Sequence, residues 1–318
     1  MTAPFALPDR PLRIGTRSSA LALAQAEQVQ GELARLGVQS ELVTYTTIGD
    51  RRLDVALTAI GSKGLFTEEL ERDLRTGGTD LCVHSLKDLP TEDPEGLVVA
   101  AQLRREDPRD ALVVRPDVRA STLEEIPHGA VIGTSSLRRR AQLRAARPDC
   151  TVVELRGNVG TRLAKLDRGE CDAAILAAAG LHRLGLGHRI VAYLGAPAWL
   201  SAAGQGAIAI QCRRDDPIVG PILRVLDDAP TTRATTAERA FLAALEGGCQ
   251  VPIGALLVGD TLAGLVSSLD GTPMLRGTIA VADDPVAAGQ ALAARLRGEG
   301  ADAILAGIRG GSAPAPAH

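Results

Sequence analysis

A chain of 318 residues, 45% of them hydrophobic, can bury a large core, and its length sets a prior of about two domains. A formal charge of −3 excludes a global basic field, and three Phe, two Tyr and one Trp leave little surface for stacking bases, so nucleic acid is not an expected partner. No apolar run approaches the roughly 20 residues of a membrane span, and Met1 to Arg10 lacks the pattern of a signal peptide; no membrane contact and a cytoplasmic location are expected. Cys82, Cys150, Cys171, Cys212 and Cys249 are scattered and form no Cys-x-x-Cys pair, which argues against disulfides and structural zinc.

In chain order, Leu12 to Thr16 reads as a strand, Arg17-Ser18-Ser19 as a cap, and Ala20 to Leu36 as an amphipathic helix closed by Gly37. The unit returns at Ala130 to Thr134, Ser135-Ser136 and Leu137 to Ala146, with Pro148 as the stop. A second echo pairs Glu68 to Arg75, Gly77-Gly78, Asp80 and Leu81 to Val83 with Arg162 to Asp167, Gly169, Asp172 and Ala173 to Leu176. Two similar α/β halves, each with a mostly parallel sheet, are expected, joined through Leu103 to Arg109 and Ala196 to Gly206. Ala207 to Gln211 reads as a strand able to return to the first half. Further on, Thr235-Thr236-Ala237-Glu238 reads as a capping box opening a helix through Leu245, ended by Gly247-Gly248. Strands are predicted at Ile253 to Val258, Leu262 to Leu269 and Met274 to Val281, with Asp270-Gly271 as a hairpin signal, giving a small α+β third domain. The tail from Gly310 to His318 is expected to be disordered.

Three strand-to-helix turns are basic. Arg138, Arg139 and Arg140 crowd the first turn of a helix, where positive charge is misplaced unless an anion sits nearby. Arg17-Ser18-Ser19 and Arg156-Gly157-Asn158-Val159-Gly160-Thr161-Arg162 make the second and third. A solvated basic face is the ordinary reading of one such run. Three of them, at the carboxyl ends of strands, point instead to a ligand with several carboxylates, which arginine's planar fork suits. Gly61-Ser62-Lys63-Gly64 lacks P-loop spacing, and Gly204-Gln205-Gly206 is only a fragment of a dinucleotide fingerprint. Lys63 lies in a Gly-flanked stretch that could serve as a lid or be plain surface. His84-Ser85-Leu86-Lys87-Asp88-Leu89-Pro90 should emerge at a sheet's carboxyl edge because Pro90 cannot continue an interior strand. There Asp88 is either a turn residue or a working carboxylate, and His84 reads as a core histidine. Cys249, in Glu246-Gly247-Gly248-Cys249-Gln250-Val251-Pro252, is the one cysteine in a loop-like setting, a candidate nucleophile or covalent anchor.

Gly15 to Ser19, Lys63 to Phe66, Val83 to Pro90, Arg105 to Asp110, Gly133 to Arg139, Leu155 to Arg162, Gly204 to Ala207 and Glu246 to Pro252 together resemble the porphobilinogen deaminase (hydroxymethylbilane synthase) family, in order along the chain. The resemblance implies two periplasmic-binding-protein-like α/β lobes, at 11–103 with 207–225 and at 104–206, and a C-terminal α+β domain at 229–309. It implies a transferase that condenses porphobilinogen on a dipyrromethane cofactor, with a thioether from Cys249 to that cofactor and Asp88 as the catalytic carboxylate. It also places Ser85, Lys87, Thr134, Ser135, Ser136, Arg138 and Arg139 on the cofactor's carboxylates. Arg17, Ser19, Gln25, Lys63, Arg156, Asn158, Arg162, Arg183 and Gln205 fall to substrate or growing chain. A monomer is implied, with its product passed to uroporphyrinogen-III synthase. Ser62 stands where many relatives have Gly, and Arg140 matches no role. The rival readings are a non-catalytic two-lobe carboxylate-binding protein, and an acyl-transfer enzyme using Cys249, which lacks a convincing His partner.

Overall fold

The computed structural model describes residues 5–46, 67–247 and 251–310. Its first sheet is built from β1 (Leu12–Arg17), β2 (Ser40–Tyr45), β3 (Leu81–Ser85) and β4 (Leu97–Gln102). Between β1 and β2 runs α1 (Ala20–Arg35), whose Ser19 cap accepts a hydrogen bond from the Ala22 N–H and whose buried face is Gln25, Ala26, Val29 and Leu33. That i, i+1, i+4, i+8 spacing sets one stripe against the sheet, and Gly37, at a φ of 78°, turns the chain out of the helix. A second helix, α2 (Glu68–Thr76), precedes β3 and buries Leu70 and Leu74.

The second sheet contains β5 (Asp110–Val114), β6 (Val131–Gly133), β7 (Thr151–Val153), β8 (Ala173–Ala177) and β9 (Ala192–Leu194). It carries α3 (Leu137–Ala146), α4 (Val159–Asp167) and the short α5 (Ala178–Arg183). The chain then recrosses to the first sheet as β10 (Ile208–Arg213), followed by α6 (Val219–Leu226).

The strand orders are β2-β1-β3-β10-β4 and β7-β6-β8-β5-β9. In each sheet four strands share a direction and one opposes them: β10, returning from the second lobe, and β5, entering it. The expected mostly parallel sheets therefore hold for strand direction, whereas hydrogen-bonded pairings divide evenly between parallel and antiparallel. Covered on both faces, β3, β8 and β10 are buried along nearly their whole length.

The third unit stacks α7 (Ala229–Ala244), α8 (Pro285–Gly298) and α9 (Ala301–Gly310) on an antiparallel sheet of β11 (Ile253–Val258), β12 (Thr261–Ser267) and β13 (Met274–Ala280). Its core joins Phe241, Leu262, Val266, Leu292 and Leu296. Gly289 lets α8 approach α7 closely, because a Cβ there would lie 2.4 Å from the Ala237 carbonyl oxygen.

The capping box at Thr235 is not a helix start. Helix α7 begins seven residues earlier in register with the Asp228 cap and Pro230 in its first turn, and Thr235 is buried mid-helix with its hydroxyl on Gln102 Oε1 at 2.7 Å. A Thr-x-x-Glu phrase caps only where the backbone leaves the helix, and here Asp228 supplies a better acceptor upstream. The β12–β13 connection is a longer loop than a two-residue hairpin, running from Ser268 to Pro273 around Asp270-Gly271. Gly310 ends α9, and the rest of the predicted tail lies outside the described residues.

Candidate functional site

At the carboxyl ends of β1 and β3, Arg17, Ser19, Gln25, His84, Ser85 and Asp88 line a pocket of about 70 Å³. The Gln25 amide donates to Ser85 Oγ at 2.9 Å, which joins α1 to the end of β3. Beyond β3 the chain makes a 3₁₀ turn, Leu86–Asp88, anchored where the Leu86 N–H donates to the Ala207 carbonyl. Leu86 and Leu89 are buried, so the turn presents half-buried Lys87 and exposed Asp88 outward. His84 is buried with no hydrogen bond to its Nε2 among the described residues, and burial pulls its imidazole down to about 4.

In the second lobe the polar turn residues serve the backbone first. Ser136 caps α3 by accepting from Arg139 N–H, Thr134 Oγ1 accepts from Ser136 N–H, Ser135 Oγ donates to the Leu155 carbonyl, and Asn158 caps α4 through Thr161 N–H. The anion required by the first turn of α3 is present in the protein itself. Asp110, fully buried, accepts from Arg138 Nη1 at 2.7 Å, Arg139 Nη2 at 2.8 Å, Trp199 Nε1 at 2.7 Å and Gln205 Nε2 at 2.8 Å. Burial alone would raise the Asp110 carboxyl, but Arg138 and Arg139 outweigh it and hold it far below the ordinary carboxylate range. Arg138 also donates to the Leu200 carbonyl, and Arg139 to the Ile175 carbonyl. A ligand carboxylate could reach Arg138 or Gln205 directly only by exchanging these partners. Arg140 is half-buried in the same turn.

The two lobes meet at these groups. Lys87 Nζ donates to Gln205 Oε1 at 3.4 Å, and the same oxygen accepts from Arg139 Nη2 at 3.5 Å. Burial pulls the Lys87 ammonium down to about 8, with Asp88 opposing the shift and Arg139 adding to it. Burial likewise brings the Arg162 guanidinium to about 10; Arg139 and Arg156 add to this, while the Asp88 carboxylate across the cleft opposes it. Arg162 Nε is buried without a hydrogen-bond partner among the described residues. Arg156 donates to Glu154 at 2.6 Å on the cleft's rim. Arg183 sits at the crossover, donating to the Gly206 carbonyl at 2.7 Å, its guanidinium lowered by burial to about 10. Leu21, in the first turn of α1, approaches Gly180 of the other lobe, where an added Cβ would lie 3.6 Å from its Cδ2.

Lys63 and Cys249 lie outside the described residues, and Cys82, Cys150, Cys171 and Cys212 are buried free thiols. Sequence reasoning missed Asp110, Glu238 and Arg239. An acid opening the apolar run Ala111–Val114 was a signal for the first. Glu238, fully buried, accepts a bidentate pair from Arg105 at 2.7 and 2.8 Å and also the Gly204 and Leu257 N–H groups, tying the crossover to the third unit.

Fold and site define a class: a two-lobed α/β protein whose strand ends converge on cations and one outward carboxylate, with a third unit bolted to the crossover. Residues 12–220 match the porphobilinogen deaminase dipyromethane cofactor binding domain and residues 232–298 the porphobilinogen deaminase C-terminal domain. A porphobilinogen deaminase of Synechococcus elongatus is 53% identical over 94% of this chain and 95% of its own length. One from Desulforudis audaxviator is 50% identical over 95% and 99%. Among solved structures, lipoprotein Tp32 from Treponema pallidum aligns with a TM-score of 0.45 at 16% identity, over 70% of this chain and 93% of that one. The chain belongs to the porphobilinogen deaminase family, and is accordingly a transferase; the non-catalytic alternative is not favoured. The donor set fits the dipyrromethane cofactor of that family, an anionic group: Lys87 and Arg139 converge on one Gln205 oxygen, and Arg162, near Arg139, has a buried Nε left open.

Proposed function

We propose that the cleft between the lobes condenses four porphobilinogen molecules, with release of ammonia, into the linear tetrapyrrole hydroxymethylbilane, in the biosynthesis of haem and related tetrapyrroles. The observation that carries this reading is the meeting of Lys87 and Asp88 from one lobe with Arg139 and Arg162 from the other. Bound through a thioether to Cys249, dipyrromethane supplies the primer from which the chain grows. Asp88 accepts hydrogen bonds from pyrrole N–H groups and stabilises the positive charge that develops as porphobilinogen loses ammonia to give an azafulvene. Exposed and without a hydrogen-bonding side-chain partner among the described residues, its carboxylate is available for that contact.

Ser85, Lys87, Thr134, Ser135, Ser136 and Arg139 orient the cofactor's acetate and propionate groups, and Arg138 acts with them by fixing Asp110. Arg17, Ser19, Gln25, Lys63, Arg156, Asn158 and Arg162 hold the carboxylates of substrate and growing chain; Arg183 and Gln205 set the crossover between the lobes. We take lobe 1 as 11–103 with 207–225, lobe 2 as 104–206 and the C-terminal domain as 229–309. The enzyme acts as a cytoplasmic monomer and passes its product to uroporphyrinogen-III synthase. No helix among the described residues is long and apolar enough to cross a membrane.

Intact-protein mass spectrometry tests the anchor. The purified chain should be heavier than its polypeptide by two linked pyrrole units, and Cys249→Ala should lose the addition. An unmodified chain that still makes tetrapyrrole refutes the assignment.

A further inference from the structure

Adjacent residues of α7 reach two different parts of the molecule. Glu238 grips the crossover through Arg105, while Arg239 reaches the turn that carries Lys87 and Asp88. Arg239 Nη1 lies 3.5 Å from the Leu86 carbonyl oxygen and 3.4 Å from that of Leu89, and Nη2 lies 2.5 Å from that of Pro90. At the end of a 3₁₀ turn the carbonyls converge and carry partial negative charge, and few backbone donors remain to satisfy them. A planar guanidinium can span three such oxygens at once, which a lysine ammonium cannot do with the same geometry.

The carboxylate on this turn has little else to fix it. Asp88 makes no side-chain hydrogen bond or ion pair among the described residues, so its position follows the backbone beneath it. The incoming side of the turn is held by β3 and by Leu86 N–H on Ala207; the outgoing side, from Leu89 to Pro90, is held by Arg239. The same helix ends at Ala244, five residues before the proposed anchor Cys249.

We propose that Arg239 is a positioning residue for Asp88, through which the C-terminal domain sets the reacting carboxylate relative to the group it anchors. The inference rests on the assignment of Asp88 given above. Misplacing a reacting group by about 1 Å costs on the order of a hundredfold in rate.

The test uses the cofactor-loaded full chain with Arg239→Ala and Arg239→Lys, and Arg233→Ala as a control. Arg233 lies on the same helix but donates to Val281 within the C-terminal domain. Arg239→Ala should lower kcat by about 10- to 100-fold with KM within about threefold, while the two-pyrrole mass addition is retained. Amide hydrogen exchange at Leu89, whose N–H donates to Leu86, should quicken at least about tenfold. Arg239→Lys should fall between Arg239→Ala and wild type in both readouts, and it carries the test if the alanine variant does not fold. Arg233→Ala should leave both near wild type. Unchanged exchange with normal kcat in Arg239→Ala, or equal losses in Arg233→Ala, overturns the inference. Asp88→Asn separates the two levels: if it is inactive while Arg239→Ala is normal, only the positioning role fails, whereas near-normal turnover in Asp88→Asn removes the assignment on which it stands.

Discussion

Arg138 and Arg162 both lie near the start of a helix that follows a strand in the second lobe, yet their surroundings differ in kind. Arg138 is neutralised from within: Asp110 takes both of its terminal nitrogens, and Arg139 shares the same carboxylate. Arg162 is half-buried with its Nε enclosed, and among the described residues no anion is bonded to it and that Nε is left open. A buried charge that is paired inside the fold is part of its framework. One left unpaired at a cleft lowers stability in the empty state and gains it back when an anion arrives.

Removing the anion should have the largest effect. Asp110→Ala leaves two buried guanidiniums uncompensated and should cost about 3–5 kcal/mol in urea unfolding; a loss below about 1 kcal/mol would break the division between framework and ligand-facing arginines. The next effect concerns His84, a buried imidazole that burial pulls down although Gln211 opposes the shift. Its folded-state value of about 4 lies below the ordinary 6.5, so between these the unfolded chain binds a proton that the folded chain refuses. Stability should therefore fall as pH drops from 6.5 toward 4, by up to about 3 kcal/mol, and His84→Gln should flatten that part of the pH profile. An identical profile in the variant would assign the acid limb to other groups. The smallest stability change is expected for Arg162→Gln, within about 1 kcal/mol, while chain elongation slows by about tenfold or more because a charge-assisted contact worth about 1.5–3 kcal/mol is lost. Should Arg162→Gln instead unfold the protein, Arg162 belongs with Arg138.

Much of the fold was legible because its signals are local. Ser19 and Ser136 are the caps expected of them, α3 spans Leu137–Ala146 as predicted, and β11 spans Ile253–Val258 as predicted. The return of β10 to the first sheet was also readable, since its apolar run follows a Gly-rich joining segment. The start of α7 was misread because Thr235-x-x-Glu238 is a capping phrase by composition, while both residues face inward to long-range partners, Gln102 and Arg105. For the candidate site, basic residues at strand ends could be found from their neighbours, but their counter-charges could not. Asp110 is 28 residues from Arg138, and Arg239 is 153 residues from Leu86.

The amino-acid order by itself determined the family, the repeated strand-cap-helix unit, and which side chains carry charge at the ends of strands, since these depend on periodicity and on contiguous phrases. Only tertiary structure decided which arginines are neutralised inside and which are left open to the cleft, and that a helix of the third unit grips the turn bearing Asp88. The reason is physical: a charge's role is set by where its nearest opposite charge lies and how much water separates them, and both are fixed when distant segments pack together.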